Sequence, residues 1–111
     1  MVAIGSKYGK IYVYENACES GCVHITAILA HHSLPIHSIL FHEDMIISCS
    51  EDMNVGIVTL LEDGALVLSK LLHGHVSRVK TIDAQADKIL SGSDDRTIKL
   101  WSSDPGMNPN N

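Results

Sequence analysis

Little in this 111-residue sequence points to nucleic acid, to a membrane or to the secretory route. Basic residues are few: eight Lys and Arg against thirteen Asp and Glu leave a formal net charge of −5. That balance offers no electrostatic footprint for a phosphate backbone or an anionic bilayer. No apolar run approaches the roughly 18 residues that a membrane-spanning helix needs. The opening Met1-Val2-Ala3-Ile4-Gly5-Ser6-Lys7-Tyr8 lacks a basic stretch followed by an apolar one, so it reads as a strand running into a turn and not as a leader. Cysteine is scarce and odd in number. Cys18, Cys22 and Cys49 make no disulfide framework and fit a reduced, intracellular setting, cytoplasmic or nuclear. Charged residues are also sparse, at 19% against 45% hydrophobic, which is the composition of a chain that folds. The length suits one ordinary domain and leaves no room for a second.

What the sequence has is a repeat. Ile47-Ser48-Cys49-Ser50-Glu51-Asp52-Met53-Asn54-Val55 lies over Leu90-Ser91-Gly92-Ser93-Asp94-Asp95-Arg96-Thr97-Ile98 at a shift of 43 residues. The same shift carries His32 onto His75, Ile36 onto Val79, Ile39 onto Ile82 and Asp44 onto Asp87, with no gap between them. A weaker copy, Gly5-Ser6-Lys7-Tyr8-Gly9-Lys10-Ile11, aligns with the run from Cys49 at a shift of 44. Spacings of this size are the signature of repeat architectures.

Within each unit the apolar residues come in runs of four to seven, which favours strands over helices. Three strands are predicted in the first unit (Val2–Gly5, Lys10–Tyr14, Val23–Leu29). Four follow in the second (Ile36–Phe41, Met45–Cys49, Val55–Leu60, Ala65–Leu72), and three in the third (Arg78–Asp83, Lys88–Ser91, Thr97–Trp101). Between them sit Ser-Lys-Tyr-Gly, His-Glu-Asp, Ser-Glu-Asp, Glu-Asp-Gly and Ser-Asp-Asp, residues that tolerate tight or left-handed turns. Pro35 and Pro105 flank strands, where proline is permitted. The polar residues 104–111 read as a frayed tail.

The third unit carries Gly74-His75 and then Ser91-Gly92-Ser93-Asp94-Asp95-Arg96-Thr97-Ile98-Lys99-Leu100-Trp101. It resembles a WD repeat, the four-stranded antiparallel blade of a β-propeller, and departs from the family ending only at Ser102, where Asp is usual. The resemblance spans about residues 2 to 102 and is strong over 72 to 102. It implies an all-β, incomplete propeller covering residues 1–103: units of about 1–30, 31–73 and 74–103, with one full blade flanked by two three-stranded partial blades. The chain is then about two and a half blades of a ring that normally closes on itself, a fragment or truncated member of a larger propeller protein.

By the same resemblance His75, Asp95, Trp101 and a serine of the second strand, Ser91 or Ser93, form a structural hydrogen-bond network. The chemistry suits it, since a buried imidazole gives one N–H and accepts at the other nitrogen, and an indole N–H needs one acceptor. The second unit keeps His32, Ser48, Ser50 and Asp52 but has Val58 at the tryptophan position and His31 in place of the glycine, so its network reads as degenerate. The first has Tyr8 at the aspartate position and Tyr14 at the tryptophan position.

Two sharper readings compete. His75, Asp95 and Ser93 are the residue types of a hydrolase triad, but no nucleophile elbow accompanies them and they fall on the family's structural positions. Cys18, Cys22 and His24, with His31 and His32 beyond, have spacings within reach of a zinc ion, but strand cysteines and histidines are usually packing residues and no second pair exists. The acidic pairs Glu43-Asp44, Glu51-Asp52, Glu62-Asp63 and Asp94-Asp95 recur at turns and read as turn chemistry. The sequence therefore predicts a protein–protein interaction scaffold without catalysis, metal or other cofactor. It would take proteins or peptides at the propeller rims and carry no nucleic-acid or membrane role. Its narrower form is a substrate-receptor or adaptor of a ubiquitin ligase. Val2 through Ile4 and Val23–Leu29, if left as open sheet edges, would add self-association.

Overall fold

A computed structural model describes residues 1–16 and 23–102. The tail 104–111 lies outside the described residues. Among the described residues ten strands follow in chain order: β1 (Val2–Gly5), β2 (Ile11–Asn16), β3 (Val23–Leu29), β4 (Ile36–His42), β5 (Met45–Ser50), β6 (Asn54–Leu60), β7 (Leu66–His73), β8 (Val79–Gln85), β9 (Lys88–Ser93) and β10 (Ile98–Ser102). They pair into three antiparallel sheets: β1-β2-β3, then β4-β5-β6-β7, then β8-β9-β10. One four-stranded blade thus stands between two three-stranded ones. None of the sheets closes into a barrel.

The sheets stack in chain order, and the burial pattern follows from it. In the middle sheet both faces are covered, so consecutive residues of β5 and β6, Ile46 to Ser50 and Val55 to Val58, are all buried. On β8, which has one covered face, Val79 and Ile82 are buried while Lys80 and Asp83 are exposed. Two separate cores result. Ile11 and Val13 of the first sheet meet Ile46 and Val58 of the second, with Ile36, Ile39 and Leu66 against them. Ile47, Val55, Ile57 and Leu72 of the second meet Val79, Ile82, Ile89 and Trp101 of the third. Each fully buried aliphatic side chain contributes about 1.5–3 kcal/mol.

The repeat is also visible in the irregularities. Pairing slips by one residue at Ile36/Ser38 and again at Val79/Thr81. It slips at Val13/Tyr14 and again at Ile57/Val58. Such bulges bend a strand and raise its twist. Left-handed backbone recurs in phase too, at Glu43 and Ala86 (φ 55° and 54°) and at Met53 and Arg96 (φ 72° and 70°). The first sheet has Gly9 (φ 85°) at the position of Met53. Only glycine fits there, because a Cβ would run into the backbone of His32.

Candidate functional site

At one end of the third sheet, the loop before β8 meets the turn between β9 and β10. His75 Nδ1 lies 2.9 Å from Asp95 Oδ2, and its Nε2 lies 2.7 Å from Ser91 Oγ. An ionised carboxylate only accepts, so Nδ1 carries the proton and Nε2 accepts the Ser91 hydroxyl. Trp101 Nε1–H donates to the same Ser91 Oγ at 2.8 Å. The result is a one-directional chain: Trp101 to Ser91 to His75 to Asp95. Asp95 also receives the amides of Val76 (3.0 Å) and Thr97 (2.8 Å) and the Thr97 hydroxyl. The Thr97 hydroxyl foremost, with His75 and those two amides, holds the Asp95 carboxyl well below the usual carboxylate range, against the opposing effect of desolvation.

The sequence left Ser91 and Ser93 as alternatives; the structure separates them. Ser91 is buried and bonds His75. Ser93 closes the turn, donating to the carbonyls of Ser77 (3.1 Å) and Arg78 (2.9 Å) and accepting the Asp95 amide (3.1 Å). The hydrolase grouping of His75, Asp95 and Ser93 therefore does not assemble. The serine that does meet His75 is 1% exposed, too enclosed to attack a substrate.

The second sheet repeats the histidine, serine and backbone bonds of this arrangement. His32 Nδ1 lies 2.9 Å from Asp52 Oδ2, and His32 Nε2 lies 2.8 Å from Ser48 Oγ. Asp52 receives the amides of Ser33 and Asn54, both at 3.0 Å. Ser50 donates to the carbonyls of Leu34 and Pro35, both at 2.9 Å, and accepts the Asp52 amide at 3.1 Å. With Val58 at the tryptophan position, the indole donor is missing. His31 takes its place: its Nε2 lies 3.2 Å from Ser48 Oγ. The proton inventory fixes its role, because Ser48 gives its hydrogen to His32 and so must accept from His31 Nε2–H.

The exchange involves three positions. In the third sheet Gly74 lies against the Trp101 ring; its counterpart in the second sheet is His31 itself. Opposite His31 stands Gly56, where any Cβ would strike the imidazole. The His31 and His32 rings are 4.5 Å apart. Burial, and next the neighbouring His32, lower the His31 pKa to about 4, with Asp52 pulling the other way. Sequence reasoning singled out His31 as a departure from the motif and as a metal candidate, and missed its bond to Ser48. The signal was present, since the glycine and the tryptophan of the motif are absent together in one unit.

Among the described residues the first sheet has no such carboxylate, Tyr8 standing at the aspartate position. The Ser6 hydroxyl alone accepts the amides of Tyr8 and Lys10, both at 3.2 Å. Cys18 and Cys22 lie outside the described residues, as does the His24 side chain, and His31 and His32 are turned onto Ser48. Among the described residues, no group of three or more His, Cys, Asp or Glu is placed to hold a metal ion. Cys49 is buried, and burial pushes its thiol up to about 12, partly offset by the Ser38 amide.

These turns and loops share one rim. Glu51 bridges His37 (3.1 Å) and Arg78 (3.7 Å), and Arg78 reaches on to Asp94 (3.4 Å). Tyr8, Leu34, Met53 and Val76 project from the same rim, Val76 with 80% of its surface exposed.

Comparison with known proteins matches this geometry to a family. Residues 66–102 match the family model described as WD domain, G-beta repeat. Over 85 residues, 75% of the chain, the sequence is 34% identical to Cell division control protein 4 of Candida albicans. The chain spans 12% of the length of that curated relative. With the 43-residue period, the stacked antiparallel sheets and the Trp-Ser-His-Asp chain, these matches place the protein in the WD-repeat family.

Proposed function

We infer that the chain is a non-catalytic module that binds other proteins or peptides through the rim carrying Tyr8, Leu34, Met53 and Val76. WD repeats generally serve protein interaction, and the exposed apolar side chains of this rim supply the chemistry. The observation that carries the reading is their mounting. Leu34 and Val76 stand within a residue or two of backbone groups bonded to Asp52, Ser50, Asp95 and Ser93. Exposed apolar side chains on tethered loops lose little further freedom on binding, which is what a recognition surface requires. The charged strip of His37, Glu51, Arg78 and Asp94 beside them would orient a polar partner without dominating affinity. Adaptor or substrate-receptor duty in a ubiquitin ligase is the narrower form of this reading, prompted by the likeness to Cell division control protein 4.

Site-specific photo-crosslinking tests the rim. A crosslinker at Val76 should capture a defined protein partner, and one at Ala86, in a turn at the opposite end of the sheets, should not. Equal capture from both positions, or a measurable turnover assigned to the chain, would overturn the reading.

A further inference from the structure

Each sheet presents two different faces, and the repeat says which face fits which. The middle sheet meets the first through Ile46 and Val58, and the third sheet meets the middle one through Ile89 and Trp101, the same two positions 43 residues on. In the other direction, the middle sheet offers Ile47, Val55 and Ile57 to the third. The first sheet offers Ala3, Ile11 and Val13 to the middle one, the same three positions 44 residues earlier. One kind of contact is therefore made twice within the chain, always between a forward face and a backward face.

Among the described residues, one face of each kind is left uncovered. On the third sheet Leu90, Ile98 and Leu100, the counterparts of Ile47, Val55 and Ile57, are 45%, 76% and 55% exposed. This is an open forward face. On the first sheet Val2 and Tyr14 are the counterparts of Ile46 and Val58. They lie in the row Val2–Tyr14–Ile25, beside the row Ile4–Tyr12–Ile28, and neither row contains a charged residue. Val2, Ile4, Ile25 and Ile28 are all more than half exposed. This is an open backward face. Apolar patches of this extent on a soluble chain mark association sites.

We propose that the open face of the third sheet, Leu90, Ile98 and Leu100, docks onto the open face of the first sheet, Val2, Ile4, Tyr12 and Tyr14, of a second copy of this chain. The occupant is fixed by shape. The chain already displays, in its two internal interfaces, both central halves of the contact at the same register positions; at the margin of the third sheet Asp83 and Lys88 stand where the middle sheet has Leu40 and Met45. The bulge at Val13/Tyr14 recurs at Ile57/Val58, so the first sheet's open face carries the same irregularity as the middle sheet's covered one. Because the two surfaces differ, the association is head-to-tail, so it propagates until the ring closes or a filament forms. The total area buried would be on the order of 1,000 Å², the size class of weak, transient contacts, for which the expected affinity is micromolar. The inference rests on the sheet faces and is independent of the rim reading above.

Light scattering coupled to size-exclusion chromatography, from about 1 to about 300 μM to bracket that affinity, tests it. The wild-type mass should rise above the monomer with concentration. Leu100→Glu blocks the forward face and Ile4→Glu the backward face, so each variant alone should stay monomeric. Mixed one to one, the two should form a dimer and nothing larger, because each supplies the face that the other lacks. If circular dichroism shows either variant unfolded, Ile98→Lys and Val2→Lys replace them at more exposed positions. A wild type that stays monomeric throughout would overturn the proposal and point to a partner of different sequence. Single variants that still assemble, or a mixture that remains monomeric, would overturn the head-to-tail geometry.

Discussion

Replacing His31 by Gln isolates the one titratable side chain that donates to a network serine, Ser48. Gln can reach Ser48 with an amide N–H but cannot take up a proton. In the wild type, His31 has its pKa lowered to about 4 in the folded state, mainly by burial, against about 6.5 in an unfolded chain. The unfolded state therefore binds more protons between these values. Stability from this residue is fully present above about pH 6.5 and drains away as the pH falls towards about 4. At 1.36 kcal/mol per pH unit the gap corresponds to roughly 3 kcal/mol; the ring is only partly enclosed, and solvent screening brings the expected loss to about 1–2 kcal/mol.

Urea denaturation at pH 7.5, 6 and 5, at protein concentrations too low for association, reads this directly. With a slope of about 1.5 kcal/mol per molar, and a little over half of the loss reached by pH 5, the wild-type midpoint should move down by about 0.5 M across the range through His31 alone. His31→Gln should lack that part of the shift, while the titrations common to both proteins cancel in the difference. Parallel pH profiles for the two proteins would refute the argument, as would an NMR titration that puts the His31 transition at 6 or above.

Other outcomes follow from the same bonds. Ser91→Ala strands both His75 Nε2 and Trp101 Nε1, two buried groups, and should cost about 2–4 kcal/mol by thermal or urea unfolding; Ser93→Ala, in the half-open turn, should cost about 1 kcal/mol. His31→Gly and Val58→Trp rebuild the third sheet's arrangement in the second. Each alone should destabilise, one by removing a donor and the other by overfilling, and the pair should recover at least about 1 kcal/mol relative to their sum. Gly56→Ala should destabilise more than an ordinary strand Gly→Ala change, because the new methyl lands on His31, and the added loss should vanish in a His31→Gly background. Native Cys49 should resist thiol reagents at pH 8 and react only on unfolding, as its burial and raised pKa require.

Much of the architecture was legible because the repeat is local and nearly gapless. Once Cys49 lies over Gly92 and Gly5, ten strands and three units follow from the spacing. His75 and Asp95 were legible because a turn aspartate twenty residues after a loop histidine falls on a known motif. Ser91 and Ser93 were not separable by alternation, since residues two apart on a strand share a face; their depth below the turn distinguishes them. His31 was hidden for a different reason. Its role depends on Ser48 and Gly56, distant in sequence and adjacent only after β5 and β6 pair. Val2, Ile4, Ile98 and Leu100 have strand-like alternation, but which of their faces is covered depends on sheet order. The expectation of open edges at Val2–Ile4 and Val23–Leu29 looked along the sheet plane, whereas the larger uncovered surface lies across it.

The left-handed residues Glu43, Met53, Ala86 and Arg96 carry a further implication. None is glycine, yet each holds a backbone conformation that costs an ordinary L-residue about 1 kcal/mol or so. At Met53 and Arg96 the turns' own bonds hold that conformation: the Ser50 and Ser93 hydroxyls and the Asp52 and Asp95 carboxylates accept the amides on either side. Gly9 shows, inside the same molecule, what the relaxed alternative looks like. The fold consequently holds a reserve of stability at four surface turns, open to single glycine replacements that touch neither the networks nor the sheet faces.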